Sequence, residues 1–238
     1  MIDENDIYEY WLCGRCNLNY NKLSGILEYF KHPRDVFFAS PKALDDMKAK
    51  CREKGINITD REMAAIVSGR SPDLVRKNLI YLKERGISYV TVLDGTYPDK
   101  LRHIYDPPVI LYYKGNFLPK SKKALAIIGA RNCSSYGREV AMYLAGAFAK
   151  EGIIIISGLA RGIDSYAHMG ALSAGGYTYA VMGSGIDVCY PAENIELYMD
   201  IQGQGGIISE YGPQVKPLPY HFPMRNRIIS ALSDGVLV

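Results

Sequence analysis

The apolar and polar positions from residue 124 onward alternate between two periods. Residues 124–128 form a short apolar run that leads into a glycine, as expected of a buried strand. Residues 137–151 carry apolar side chains four positions apart, which predicts an amphipathic helix. Residues 153–156 are four consecutive isoleucines, typical of a strand covered on both faces. This stretch therefore predicts a strand–helix–strand unit of a parallel α/β sheet.

The same alternation continues on both sides of this unit. Further strands are predicted at residues 87–93, 109–114, 177–182, 206–209 and 235–238. A helix capped by Asp164 and two more helices, at residues 193–202 and 224–233, are predicted between them. Residues 211–223 hold four prolines and predict a loop, long enough to be a candidate functional segment.

Residues 5–80 have helical periodicity and predict four or five short helices. Ser40–Pro41 and Ser71–Pro72 each combine an N-cap with a proline at the first helical position. Gly55 and Gly86 are typical helix ends. We therefore place the boundary between a helical and an α/β part near residue 85. Helical modules of this kind contact nucleic-acid phosphates or serve only as packing units, and the residues leave both open.

Composition limits the classes of protein to which the chain belongs. No apolar run reaches the ~18 residues of a membrane span, and the acidic start does not resemble a secretion signal, so we expect a cytoplasmic protein. The net charge is +3, but residues 121–238 carry nine basic and nine acidic side chains. An anion site in the α/β part must therefore be local, built from a few arginines and backbone amides.

Cysteine and histidine spacing gives little support for a metal or redox site. Cys13 and Cys16 match a CxxC spacing, but no strand precedes them and no second pair follows, so we interpret them as free thiols. The four histidines are scattered without ligand spacing. His168 is more typical of a core or capping histidine than of a catalytic base. No nucleophile–base pair stands out.

Three turns of small residues follow consecutive predicted strands. The turns at residues 129–137 and 157–164 each combine glycines, hydroxyl groups and an arginine, Arg131 and Arg161, and the first leads into a helix N-terminus. The third turn, at residues 183–185, has no large side chain to obstruct a ligand. Because the carboxyl ends of parallel strands share one sheet edge, the turns predict an anion-binding groove that admits a phosphodiester.

The end of the proline-rich loop adds charge and an aromatic ring. Phe222 is placed to stack on a base, as aromatic side chains do for single strands. Arg225 and Arg227 would clamp successive phosphates. The alternative is that Phe222 packs in the core and the arginines are surface charges.

Several segments resemble the DNA-processing protein A family (DprA, also called Smf). They are DPPVILYYKG, IIGARNCSSYG, SGLARGIDSYAH, AVMGSGIDVCYPAEN, IISEY and FPMRNRIISALSDGVLV, in the family's order and spacing over about half of the chain. The helical start, with LSGILEYF and SPKAL, is also similar to that family.

The resemblance implies an α/β fold with an extended Rossmann-like, mostly parallel sheet at residues 86–238, preceded by a small helical (SAM-like) domain at residues 1–85. It implies a homodimer that binds and protects single-stranded DNA and loads the RecA recombinase in natural transformation, without catalysis or a cofactor. The family pattern continues past Val238, so we expect a domain truncated at its C-terminal end. Some members carry a lysine where this chain has Pro219. The DNA-binding residues that the resemblance and the turns together predict are Gly129, Arg131, Ser134, Ser157, Gly158, Arg161, Gly162, Gly183, Ser184, Phe222, Arg225, Asn226 and Arg227.

Two other functions remain open from the sequence. Lysine-decarboxylase-like phosphoribohydrolases, which act on nucleoside monophosphates, have a similar sheet, and their diagnostic turn would follow the strand that begins at Gly235. A protein-interaction scaffold is the third possibility. Release of free base from AMP would favour the enzyme.

Overall fold

The computed structural model describes residues 3–119 and 121–238. The chain forms two compact units. One contains the residues up to Arg85 together with Val90–Tyr97 and Tyr105–Ile110. The other contains Gly86–Tyr89, Pro98–Ile104 and Leu111–Val238.

The first unit is built from six helices. They are α1 (Glu4–Arg15), α2 (Tyr20–Phe30), α3 (Pro33–Phe38), α4 (Pro41–Glu53), α5 (Asp60–Ser68) and α6 (Pro72–Glu84). Trp11 and Ile26 are fully buried among them, and the ring of Trp11 lies 4.9 Å from that of Phe37 in an edge-on arrangement. Pro33 occupies the first position of α3, where a helix needs no donated N–H group.

The strands and remaining helices confirm the predicted α/β class. The strands are β1 (Ser88–Thr91), β2 (Ile110–Gly115), β3 (Ala124–Ile127), β4 (Ile154–Ser157), β5 (Thr178–Met182), β6 (Gly205–Ser209) and β7 (Gly235–Leu237). The helices are α7 (Asp99–Arg102), α8 (Ser135–Lys150), α9 (Ile163–Ser173), α10 (Ile195–Gly203) and α11 (His221–Leu232), with a short 3₁₀ turn at Ala192–Asn194.

The seven strands form one sheet in the order β1-β2-β6-β5-β4-β3-β7. From β6 through β7 all neighbouring strands are parallel, whereas β2 pairs antiparallel with β6, for example Tyr112 with Ser209. The order reverses at β3, since β4 lies on one side of it and β7 on the other. In doubly wound sheets, ligands bind at the carboxyl ends of the strands beside such a reversal, so the turn after β3 is at the expected position.

Small residues let the helices pack closely on the sheet. Ala145 of α8 and Ala167 of α9 are fully buried against Ile127 of β3 and Ile155 of β4. A Cβ on Gly170 would lie 2.3 Å from a backbone oxygen of α8, so the two helices approach at a distance that only glycine permits. This packing fixes the turns from which α8 and α9 start.

Helix α11 begins earlier than the sequence pattern indicates, at His221 instead of Met224. Pro223 was included in the preceding loop, but it occupies the first turn of the helix, where N–H groups have no intrahelical acceptor. Phe222 and Arg225 therefore lie on one helix, three residues apart, which places both on the same face.

The two cysteines of the CxxC spacing lie in the core of the helical unit. Cys13 and Cys16 are buried free thiols, and burial raises the pKa of Cys16 to about 12. No group of three or more metal-ligating side chains is present among residues 3–119 and 121–238. In the same ranges, no helix is long and apolar enough to cross a bilayer.

Candidate nucleic-acid interface

The turn after β3 presents an exposed arginine. Gly129 packs so closely on Ile163 that a Cβ would lie 2.7 Å from its Cγ1 atom. Ser134 is the N-cap of α8, and its hydroxyl accepts a hydrogen bond of 3.1 Å from the Gly137 amide. Between them, Arg131 is exposed at the carboxyl edge of the sheet.

The turn after β4 is held against the turn after β3. The Ser157 hydroxyl is buried and donates to the Ile127 carbonyl at 2.6 Å, so it joins the two strands and does not face a groove. Gly162 has a φ of 75°, and a Cβ there would lie 2.2 Å from the Ala130 carbonyl oxygen. Only glycine meets both requirements, and it lets the two turns touch.

Asp164 organises the second turn from inside the protein. It was expected to cap α9, but Gly162 occupies the N-cap position and Asp164 lies in the first turn, buried. Its carboxylate accepts hydrogen bonds from the amides of Gly158 at 3.1 Å and Ala160 at 3.4 Å. Burial raises the pKa of this carboxyl group, while the nearby Arg225 guanidinium opposes the shift.

Arg225 is a buried structural cation in this arrangement. It is 5% exposed and donates to the carbonyl oxygens of Gly158, at 2.8 Å, and Val181. These carbonyls belong to the ends of β4 and β5, so the side chain joins two strand ends. Burial lowers the pKa of Arg225 to about 10. Because this value is still well above 7, the guanidinium remains charged at neutral pH.

The turn after β5 supports the aromatic ring of the groove. A Cβ on Gly183 would lie 2.8 Å from Cδ1 of Phe222, so the ring rests on this glycine. Ser184 is buried, and its hydroxyl donates to the Val188 carbonyl at 2.7 Å. The Tyr190 ring lies 5.5 Å from the Phe222 ring, so Phe222 is half-buried between a glycine turn and another aromatic side chain.

Two of the predicted arginines are paired with carboxylates. The exposed Arg161 forms a two-pronged ion pair with Glu193, at 2.6 and 2.8 Å. Arg227 binds both carboxylate oxygens of Glu210, at 2.7 and 3.0 Å. Either arginine would have to share or exchange its partner to bind a phosphate.

Arg131 is shared by the pockets of the candidate site. It lines three adjoining pockets, of about 50, 370 and 490 Å³. The smaller two also include Phe222, and the Arg131 guanidinium lies 5.8 Å from the centre of that ring. Asn226 is exposed and lines the 370 Å³ pocket. The structure thus brings all three turns and the start of α11 to one edge of the sheet.

The sequence did not point to two residues of the third pocket, Arg138 and Tyr166. Both line the 490 Å³ pocket with Arg131, and the Arg138 guanidinium lies 5.7 Å from the centre of the Tyr166 ring. An available signal was that Arg138 lies in the first turn of α8, directly after the glycine-rich turn. Tyr166 in α9 has no such signal, because only folding brings the two helix starts together.

His168 lies in the core, as expected. It is fully buried, and burial lowers its pKa to about 3, so the ring is neutral. Since the Thr178 hydroxyl donates to the Ile155 carbonyl, His168 Nδ1 is the donor in their 2.7 Å contact. This histidine has no access to a substrate.

Comparison with known proteins gives a consistent result. The family model for DNA recombination-mediator protein A matches residues 88–238. DNA processing protein DprA of Bacillus subtilis (strain 168) is 40% identical over 168 residues, which are 70% of this chain and 56% of that protein. DprA of Streptococcus pneumoniae (strain ATCC BAA-255 / R6) is 46% identical over 148 residues, 62% of this chain and 52% of that protein. The chain spans about half the length of these curated relatives.

Two solved structures are also similar. The X-ray structure of DprA from Streptococcus pneumoniae aligns with a TM-score of 0.66 and 32% identity, over 99% of this chain and 77% of that one. A structure of DprA from Helicobacter pylori, described for its single-stranded DNA binding mode, aligns with a TM-score of 0.57 and 34% identity over 63% of this chain and 67% of that one. The family model alone covers more than half of the sequence. The chain belongs to the DNA recombination-mediator protein A family, also known as DprA or Smf.

Proposed function

We propose that this chain binds single-stranded DNA at the edge of the sheet where Arg131 lies, as part of a cytoplasmic protein that protects incoming DNA and loads the RecA recombinase. The observation that carries the proposal is the position of Arg131. It is exposed, lines three adjoining pockets beside the Phe222 ring, and has no carboxylate partner among the described residues.

Each part of this site suits one part of a nucleotide. An exposed guanidinium forms charge-assisted hydrogen bonds with phosphate oxygens. A half-buried phenylalanine ring offers a face on which a base stacks, whatever its identity. Asn226 adds an exposed amide on the same side. Single-stranded DNA presents both groups together, whereas duplex DNA keeps its bases stacked inside.

The thirteen predicted residues divide into two proposed roles. Arg131, Phe222 and Asn226 would touch DNA directly, with Arg161 and Arg227 contributing if their ion pairs rearrange. The others would shape the turns from behind: Gly129, Ser134, Ser157, Gly158, Gly162, Gly183, Ser184 and Arg225. The relative from Helicobacter pylori, whose structure is described for its single-stranded DNA binding mode, supports a DNA-binding function for this fold.

The test is competition between DNA forms. A labelled thymidine oligonucleotide should be displaced by unlabelled single strands and only weakly by a duplex of the same length. Equal displacement by both forms would contradict the groove. For the loading step, the chain should shorten the lag of RecA assembly on single strands, and light scattering or sedimentation should give the mass of a dimer. An unchanged lag with intact DNA binding would separate loading from binding.

A further inference from the structure

We propose that Arg138 and Tyr166 form a second nucleotide subsite next to the one at Arg131 and Phe222, so that a single strand crosses both in succession. The inference rests on the proposed function and adds the length and path of the bound strand.

Two exposed arginines of the α/β part are not held by carboxylates of the described residues. Five arginines lie between residues 121 and 238. Arg161 and Arg227 are held by carboxylates, and Arg225 is buried under the strand ends. The other two, Arg131 and Arg138, are exposed and have no carboxylate partner in the described parts of the chain. A phosphate can bind these two guanidinium groups without breaking an ion pair.

Each of these two arginines lies beside an aromatic ring. The Arg131 guanidinium is 5.8 Å from the Phe222 ring centre, and the Arg138 guanidinium is 5.7 Å from the Tyr166 ring centre. Each pair offers a cation for a phosphate and a ring for a base. Since a nucleic-acid strand repeats phosphate and base, two such pairs in series match two positions along it.

The two arginine–aromatic pairs lie in pockets that share Arg131. Arg131 lines both the 370 Å³ pocket, which contains Phe222, and the 490 Å³ pocket, which contains Arg138 and Tyr166. A volume of 490 Å³ falls within the range that accommodates a drug-sized or nucleotide-sized group. A strand that leaves Phe222 therefore meets the second pair directly beyond Arg131.

The chain contains matched controls for both side chains. Arg85 lies 3.7 Å from the Tyr81 ring in an arginine–tyrosine pair remote in sequence from the groove turns. Tyr143 lies on α8 like Arg138, is 75% exposed, and does not line the 490 Å³ pocket. Arg85→Ala and Tyr143→Ala thus remove the same chemistry elsewhere.

The experiment measures affinity for thymidine monophosphate, which can fill one subsite, and for a thymidine octanucleotide, which can cross both. Arg138→Ala and Tyr166→Ala should each weaken octanucleotide binding by at least about fivefold, the lower end for one lost stacking contact, and leave monophosphate binding within about twofold. Both control variants should match the wild type. Wild-type affinity for both groove variants on the octanucleotide, or an equal loss for both lengths, would overturn the second subsite. Failure of the unmodified chain to bind either length would instead overturn the proposed function, and the inference with it.

Cys133 provides a readout that needs no substitution. It is a partly exposed free thiol that lines the same pocket. Alkylation of Cys133 in the unmodified chain, followed by mass spectrometry, should slow when the octanucleotide is bound and not with thymidine monophosphate. Equal protection by thymidine monophosphate would indicate a mononucleotide site and contradict a strand path. Unchanged alkylation with bound octanucleotide would also contradict it.

Discussion

Arg225 donates a 2.8 Å hydrogen bond to the carbonyl oxygen of Gly158, from a position on α11 that is almost closed to solvent. The Gly158 amide in turn donates a hydrogen bond to the Asp164 carboxylate. A buried cation and a buried anion thus hold one glycine from two sides. The shape of the groove depends on this arrangement.

Arg225→Ala should therefore act on stability before it acts on binding. Removal of the guanidinium leaves the Gly158 and Val181 carbonyls unsatisfied and the Asp164 carboxylate without its positive neighbour. We expect a loss of about 3–5 kcal/mol in the free energy of unfolding, measured by urea denaturation. Asn226→Ala, at the exposed neighbouring position, is the control and should change stability by less than about 0.5 kcal/mol. Wild-type stability of the Arg225→Ala variant would contradict a structural role for the buried Arg225 side chain.

Gly183→Ala tests whether the glycine turn sets the position of the aromatic ring. The added Cβ would lie 2.8 Å from Cδ1 of Phe222, so the ring must move. We expect single-stranded DNA affinity to fall by about 1 kcal/mol, the lower end for loss of a stacked base. Gly203→Ala adds a Cβ with no neighbour within 4 Å and should bind normally. If Gly183→Ala binds as tightly as the wild type, the ring does not need this support.

The buried His168 predicts the pH dependence of stability. Its pKa is lowered to about 3 in the folded protein, so between that value and its usual ~6.5 only the unfolded chain binds the proton. The free energy of unfolding should therefore fall as pH decreases through 6.5, by up to about 1.4 kcal/mol per pH unit from this one group. Asp164 has the opposite effect on the free energy of unfolding in more acidic solution. Its pKa is raised in the folded protein, so just above its unfolded pKa of 3.8 the folded state binds the proton more readily, and stability increases as pH decreases.

His168→Leu isolates this contribution. Urea titrations between about pH 5 and 7 should give a shallower slope than in the wild type. Met169→Leu, a change without a titratable group at the exposed neighbouring position, is the control and should keep the wild-type slope. An identical slope for His168→Leu and wild type would contradict proton exclusion by the core.

The sequence predicted the sheet and its turns well because both depend on local signals. Four consecutive isoleucines, glycines after apolar runs and periodic alanines are sufficient to identify β4, the turns and α8. Proline signals were less decisive, since Pro33 and Pro223 are compatible with helix starts as well as with loops. A carboxylate near a helix start predicts an N-cap, but Asp164 lies inside the first turn of α9.

The burial and ion pairing of each arginine could not be predicted from local signals. Glu193 is 32 residues from Arg161, and Glu210 is 17 residues from Arg227, so only the fold shows that they pair. Burial of Arg225 runs against the usual exposure of arginine. The predicted DNA-binding roles themselves stay predictions until binding is measured.

Phe222→Ala should separate stacking from charge. Loss of the ring should lower affinity by about 1–3 kcal/mol with little change in salt dependence, because stacking on a base releases no counterions. Thermal unfolding measured in parallel distinguishes this from a core role, under which the melting temperature would fall and affinity would follow only through misfolding. A steeply reduced salt slope would contradict a stacking role.

The proposed contact between Arg131 and a phosphate is tested by the salt dependence of single-stranded DNA affinity for Arg131→Ala. Arg34→Ala is the control, because Arg34 lies 5.9 Å from the Phe38 ring in a similar arginine–phenylalanine pair of the helical unit. Arg131→Ala should lose about 1–3 kcal/mol of binding free energy, and the slope of log K against log salt should shrink by about 0.7. Arg34→Ala should retain both values. Unchanged affinity and slope in a folded Arg131→Ala variant would contradict the site.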